Sequence, residues 1–100
     1  MKKNNNFSIS KMYCCKCGKE GISIPRKAGH YRKSGHLKKI YCIHCKTEWN
    51  HVEIQSLSND YGYEDFELEQ EYNNFDNYGN RKEPYKTFKH KLLKGDIIKL

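Results

Sequence analysis

Four thiols in two matching frames carry the clearest chemistry in this chain. Cys14 and Cys17 enclose two residues in Cys14-Cys15-Lys16-Cys17-Gly18, and Cys42 and Cys45 do the same in Cys42-Ile43-His44-Cys45. In a C-x-x-C turn both sulfurs can converge on one metal ion at about 2.3 Å. Twenty-four residues, 18 to 41, separate the pairs, enough to fold back and close a tetrahedron of four thiolates. Such a site leaves no open position for water or substrate, so its role is structural rather than catalytic. The expected cofactor is one structural Zn2+ on Cys14, Cys17, Cys42 and Cys45. Gly18 follows the first pair, where the chain needs a positive φ or a free N–H directed at sulfur.

Other uses of these residues remain open. The same four cysteines could form two disulfides, but that needs an oxidising compartment. Met1-Lys2-Lys3 is followed by Asn4 to Asn6 rather than by an apolar stretch, so a cytoplasmic protein is expected. Five cysteines also leave one unpaired. Cys15 falls outside the two-residue spacing and reads as a packed thiol or a spectator. His44, inside the second knuckle, and His51, His30 and His36 are alternative ligands should one cysteine be replaced.

The elements that must position the thiols are short. One hundred residues allow one small domain, and hydrophobic residues make up only 36% of it. A core that thin is marginal, and a structural zinc, worth about 10 to 16 kcal/mol in apparent terms, would stabilise it. No run of 18 apolar residues suggests a membrane span. Phe7 to Ser10 alternates with period two. Ile22-Ser23-Ile24 reads as a short strand ended by Pro25. Leu37 to Tyr41 leads into the second knuckle, and Thr47 to Ile54 leaves it as a strand.

The remainder divides by charge. Residues 1–50 hold 12 Lys/Arg against two acids, and residues 51–100 hold 7 against 10. The segments read as a basic metal module (1–55), an acidic Tyr-rich stretch (56–82), and a short C-terminal helix with its tail (83–100). In the second, a ragged apolar face of Phe66, Leu68 and Tyr72 permits a helix near 64–75, with a solvated segment as the alternative. Asn77 to Asn80 reads as a turn. In the third, Pro84 suits a first helical position, and Tyr85, Phe88 and Leu92 form a stripe. Gly95 reads as the stop, and Ile97-Ile98 as an apolar tail.

Function is expected between the knuckles. Arg26, Lys27, His30, Tyr31, Arg32, Lys33, His36, Lys38 and Lys39 fall in a sixteen-residue stretch, 26–41, with six Lys/Arg and no acid. Cations interleaved with aromatics and glycines on a rigid scaffold suit nucleic acid. A solvated loop, or a loop docked on an acidic protein surface or on residues 60–76 of its own chain, remains the alternative. An HNH-type nuclease also carries paired knuckles, with His36, Asn50 and His51 as its available residues. No dyad precedes a strand here, however, and His51 stands too near the second knuckle, so no enzyme is expected.

Tyr13 to Glu53 resembles the zinc-ribbon superfamily, found in transcription factors, RNA polymerase subunits and ribosomal proteins. Arg32-Lys33-Ser34-Gly35-His36-Leu37-Lys38-Lys39 and Tyr41-Cys42-Ile43-His44-Cys45-Lys46 also look like small zinc-ribbon proteins of phages and prophages of low-GC Gram-positive bacteria. The resemblance covers under half the chain. The doubled Cys14-Cys15 and the acidic Tyr-rich half depart from common ribbons. It implies a small metal-stabilised domain of short antiparallel β-hairpins with a C-terminal extension containing one short helix. It also implies a non-enzymatic protein, phage-derived, that binds RNA, DNA or a nucleoprotein machine such as RNA polymerase or the ribosome through residues 26–41, in the cytoplasm of a bacterial host. The alternative is a protein-binding regulator or inhibitor that uses Tyr61, Tyr63, Phe66 and Tyr72 of the acidic segment 60–76.

Overall fold

The structure, a computed structural model, describes residues 7–27, 34–55 and 60–95, with side chains at 9–25, 34–55 and 60–95. Four strands form one antiparallel sheet: β1 (Phe7–Cys14), β2 (Glu20–Lys27), β3 (Leu37–Cys42) and β4 (Thr47–Gln55). Two helices follow, α1 (Tyr63–Glu71) and α2 (Tyr85–Leu93). The sheet order is β2-β1-β4-β3, so two hairpins join through the β1–β4 pair.

Each Cys knuckle is the tip of one hairpin. The first links β1 to β2, and the second links β3 to β4. Because β1 and β4 run antiparallel, with Cys14 opposite His51 and Ser10 opposite Gln55, both tips lie at the same end of the sheet. β2 leaves that end and β3 returns to it. Leu37 starts five residues before Cys42, about 16 Å along an extended strand.

The reading that Pro25 ends its strand is corrected: β2 continues to Lys27, with Ile9 opposite Pro25. β2 is an edge strand, where a missing N–H can lie on the unpaired side without breaking a ladder bond.

Alternation then sorts the two faces. Tyr13 and Val52 pair towards the helices, and the Tyr13 ring lies 4.9 Å from Tyr63 and 5.7 Å from Phe66. Cys15, Val52, Tyr61 and Phe66 form the buried cluster, with Leu37, Trp49, Ile54, Phe75 and Tyr85 packed around it. The intervening positions pair Ser10 with Gln55, Met12 with Glu53 and Cys14 with His51, and all six are buried.

The acidic stretch is therefore not a solvated segment: Tyr61 and Phe66 belong to the same cluster as the sheet. Its helix is shorter than the expected 64–75. Asp65 Oδ2 accepts the Gly62 N–H at 2.8 Å and starts it. Tyr72 caps the other end, and Asn73 takes a left-handed φ of 61° that turns the chain away. In α2, Phe88 is the buried member of the stripe, Pro84 is the N-cap, and Gly95 stands past the end at φ 81°. The expected apolar tail, Ile97-Ile98, lies outside the described residues. Among the described residues no helix is long and apolar enough to cross a membrane.

Candidate functional site

The hairpin tips bring four sulfurs together. The Sγ atoms of Cys14, Cys17, Cys42 and Cys45 all lie within 4.8 Å of one another. Two separations are 3.8 Å (Cys14 to Cys45) and 3.7 Å (Cys17 to Cys42), and both run between knuckles. A tetrahedron with metal–sulfur bonds of about 2.3 Å has edges of about 3.8 Å, whereas a disulfide needs about 2.05 Å. The four cysteines are free thiols placed to hold a metal ion.

The backbone supports the sulfurs in the same way at both tips. Cys14 Sγ accepts the N–H groups of Lys16 and Cys17 at 3.4 and 3.5 Å, and Cys42 Sγ accepts the Cys45 N–H at 3.3 Å. Gly18 N–H closes on Cys14 O at 2.8 Å, and Lys46 N–H on Cys42 O at 2.7 Å. Both closing residues have positive φ, 74° and 61°. Glycine takes that conformation freely at the first tip, while lysine bears its steric cost at the second.

These contacts prepare charge unequally. Burial pushes the Cys42 thiol up, but the N–H groups of Cys45 and His44 outweigh it and bring the group to about 7. Burial pushes Cys14 well above the ordinary thiol range and also raises Cys45. Four adjacent thiolates therefore need a cation among them.

The histidines have other duties. His44 Nε2 lies 3.1 Å from Glu20 O and ties the second tip to the start of β2. His51 is fully buried, and its Nδ1–H donates to Trp49 O at 2.8 Å. Its Nε2 has no partner among the described residues, and a Cβ at Gly21 would stand 3.4 Å from it. Neither ring nitrogen belongs to the sulfur cluster. Cys15 is buried among Val52, Tyr61 and Phe66, where burial pushes its thiol up to about 12.

The described basic residues are spread along the sheet. His30, Tyr31, Arg32 and Lys33 lie outside the described residues, and Arg26 and Lys27 are described by backbone alone, at the far end of β2. His36 precedes β3, and Lys38 and Lys39 follow within it, opposite His51 and Asn50. His36 and Lys39 are exposed and Lys38 half-buried. Only Arg26, Lys27 and His36 thus lie towards the end of the sheet away from the metal centre, while Lys38 shares the row of His51 and Cys14 and Lys39 stands three residues before Cys42.

Sequence reasoning missed a concavity at the entry to β3. A groove of about 550 Å3 is lined by Ser34, Gly35 and His36 on one side and by Arg81, Pro84, Tyr85 and Lys86 on the other, with Asp60 and Tyr61 between. Its two walls are separated by some fifty positions, so no spacing rule could have found it. The chain matches no protein-family model, and no curated protein or solved structure is significantly similar to it. Its small antiparallel sheet and cysteine tetrad are compatible with a zinc ribbon.

Proposed function

We propose that this chain is a non-enzymatic zinc protein of the ribbon type whose basic segment, residues 26–41, binds nucleic acid. The observation that carries the metal reading is the pair of 3.7 and 3.8 Å sulfur separations, which match a tetrahedral Zn–S4 edge. An all-thiolate set favours zinc over magnesium or calcium, which take oxygen. The ion would crosslink two hairpin tips that are otherwise joined through the β1–β4 pair and the His44–Glu20 contact.

Support for nucleic acid comes from charge and placement together. Residues 26–41 carry six Lys/Arg and no acid, and they run from the far end of β2 along β3 up to Cys42, so a rigid metal-closed sheet would carry that charge. The partner would be RNA, DNA or a nucleoprotein assembly. The alternative use of the acidic segment as a protein-binding face is weakened, because Tyr61 and Phe66, two of the four aromatics named for that contact, are buried in the core. A phage origin would fit a host-directed regulator of either kind.

One experiment tests the reading. Labelled RNA and duplex DNA are titrated with the full zinc-loaded chain at two salt concentrations. Binding should weaken steeply with salt, and neutralising Arg32, Lys33, Lys38 and Lys39 together should flatten that dependence. No binding at low salt to either polymer would remove the nucleic-acid reading.

A further inference from the structure

The groove between residues 34–36 and the turn entering α2 is built rather than incidental. Ser34 Oγ donates to Tyr61 O at 2.7 Å, and Gly35 N–H donates to Glu53 O at 2.7 Å. Gly35, at φ 88°, lies so close to the Tyr61 ring that a Cβ there would stand 2.9 Å from Tyr61 Cγ. One wall is thus fixed to the sheet and to Tyr61. The opposite wall is fixed by Arg81, whose Nε and terminal NH2 nitrogen donate to the buried Glu69 carboxylate at 2.8 and 2.9 Å. That fork spends two of five N–H donors and leaves the guanidinium oriented with donors in hand.

The basic side chains around the groove differ in what holds them. Lys89 and Lys91 are paired with Asp65 (3.8 Å) and Glu83 (2.6 Å). Lys86 is exposed and makes no ion pair among the described residues, and the His36 side chain is likewise exposed and unpaired there. The lining therefore offers the Lys86 ammonium, the His36 ring and the N–H donors of Arg81 that Glu69 leaves over, beside one acid, Asp60. Tyr85 adds a half-buried ring, edge-on to Tyr61 at 4.9 Å. A volume of about 550 Å3 lies within the range of small-ligand sites. Such a cleft admits a single splayed strand, while a duplex keeps its bases stacked inside a convex surface.

We propose that this groove binds single-stranded nucleic acid, taking the phosphodiester at His36, Arg81 and Lys86 and a base against Tyr85. The inference rests on the nucleic-acid reading above but concerns a different surface. Ser34-Gly35-His36 is the stretch that leads from the basic segment into Lys38 and Lys39, so a strand lying on that segment continues into the groove. Stacking on a tyrosine face is tolerant of base identity, so weak sequence preference follows.

The test uses the full zinc-loaded chain, labelled for amide spectroscopy, and two probes: a uridine dinucleotide, too short to span both surfaces, and a uridine decamer. The dinucleotide should shift the amides of Gly35 and Lys86. Lys86→Glu should weaken decamer binding by about tenfold and lower its salt slope by about one or more, as loss of a phosphate contact does. Lys19→Glu, the same charge change at the metal end, should do much less. Absent shifts at millimolar dinucleotide, or equal effects of the two variants, would overturn the groove. An acidic peptide that shifts the same amides at lower concentration than the dinucleotide would overturn it in favour of protein docking. Loss of decamer binding on neutralising Arg32, Lys33, Lys38 and Lys39, with Lys86→Glu silent, overturns the groove and leaves the basic segment standing. The reverse pattern keeps the groove and removes the segment.

Discussion

Glu69 and Arg81 form a two-pronged ion pair, 2.8 and 2.9 Å, in which the carboxylate is wholly buried and the guanidinium 17% exposed. The Tyr61 hydroxyl and Asn74 Nδ2 donate to the same carboxylate, the latter at 2.6 Å. Asn74 also bonds Glu83 through both ends of its amide. The Arg81 guanidinium lies over the Tyr61 and Phe75 rings at 5.6 and 5.7 Å. One buried carboxylate thus joins the end of α1, the turn after it and the approach to α2.

Removing one member of that pair should be severe. Arg81→Met leaves Glu69 buried without its cation and should destabilise the chain by about 3–5 kcal/mol. The double variant Glu69→Leu with Arg81→Met removes both charges and should recover much of that loss. Chemical denaturation of the four members of the cycle at fixed zinc measures the coupling. A single variant within about 0.5 kcal/mol of wild type would show that the network holds little.

The metal should be inseparable from the fold. Replacing Cys14, Cys17, Cys42 or Cys45 with serine should abolish stoichiometric zinc, read by native mass spectrometry, and broaden the amide spectrum. Cys15→Ala should keep one zinc per chain and lose only about 1 kcal/mol, the price of a small buried thiol. Loss of zinc in Cys15→Ala with retention in Cys14→Ser would reassign the ligand.

The two tips differ at their closing residue, and this gives a prediction with a sign. Lys46 holds φ 61° with a side chain, while Gly18 holds φ 74° without one. Lys46→Gly should stabilise by about 0.5–1 kcal/mol, the left-handed cost relieved less the entropy of an added glycine. Gly18→Ala should destabilise, since its Cβ would also meet Gln70 Nε2 at 2.5 Å. Thermal melts at one zinc concentration rank the three proteins. A Lys46→Gly protein melting below wild type contradicts the account.

What could be read from the residues was local. The thiol spacing, the strands flanking each knuckle and the stop at Gly95 follow from short-range rules, and the structure has each of them. The continuation of β2 past Pro25 depended on which strand is an edge, which is a tertiary fact. The burial of Glu69 depended on Arg81, twelve residues away, and on Tyr61, so a run of acids looked solvated. Cys15 was set aside on spacing, but its place between Val52 and Phe66 needed the helix to be present. The groove pairs residues whose neighbourhood no periodicity encodes.

His51 gives the fold a pH dependence on the acid side. Its ring is buried opposite Cys14 with Nδ1–H on Trp49 O and Nε2 unpartnered among the described residues, so burial holds its pKa below the ordinary 6.5. Lowering the pH protonates this histidine in the unfolded chain first. Between its folded pKa and about 6.5 the unfolded state binds more protons, and stability falls as pH falls. Within that window each pH unit removes up to about 1.4 kcal/mol. Thiolate protonation releases zinc over the same range, so the comparison is made at saturating zinc against His51→Leu. Wild type should lose more stability than the variant between pH 7.5 and pH 6 if burial of the neutral ring is the cause. Parallel pH profiles for the two proteins would assign the whole acid sensitivity to the metal centre.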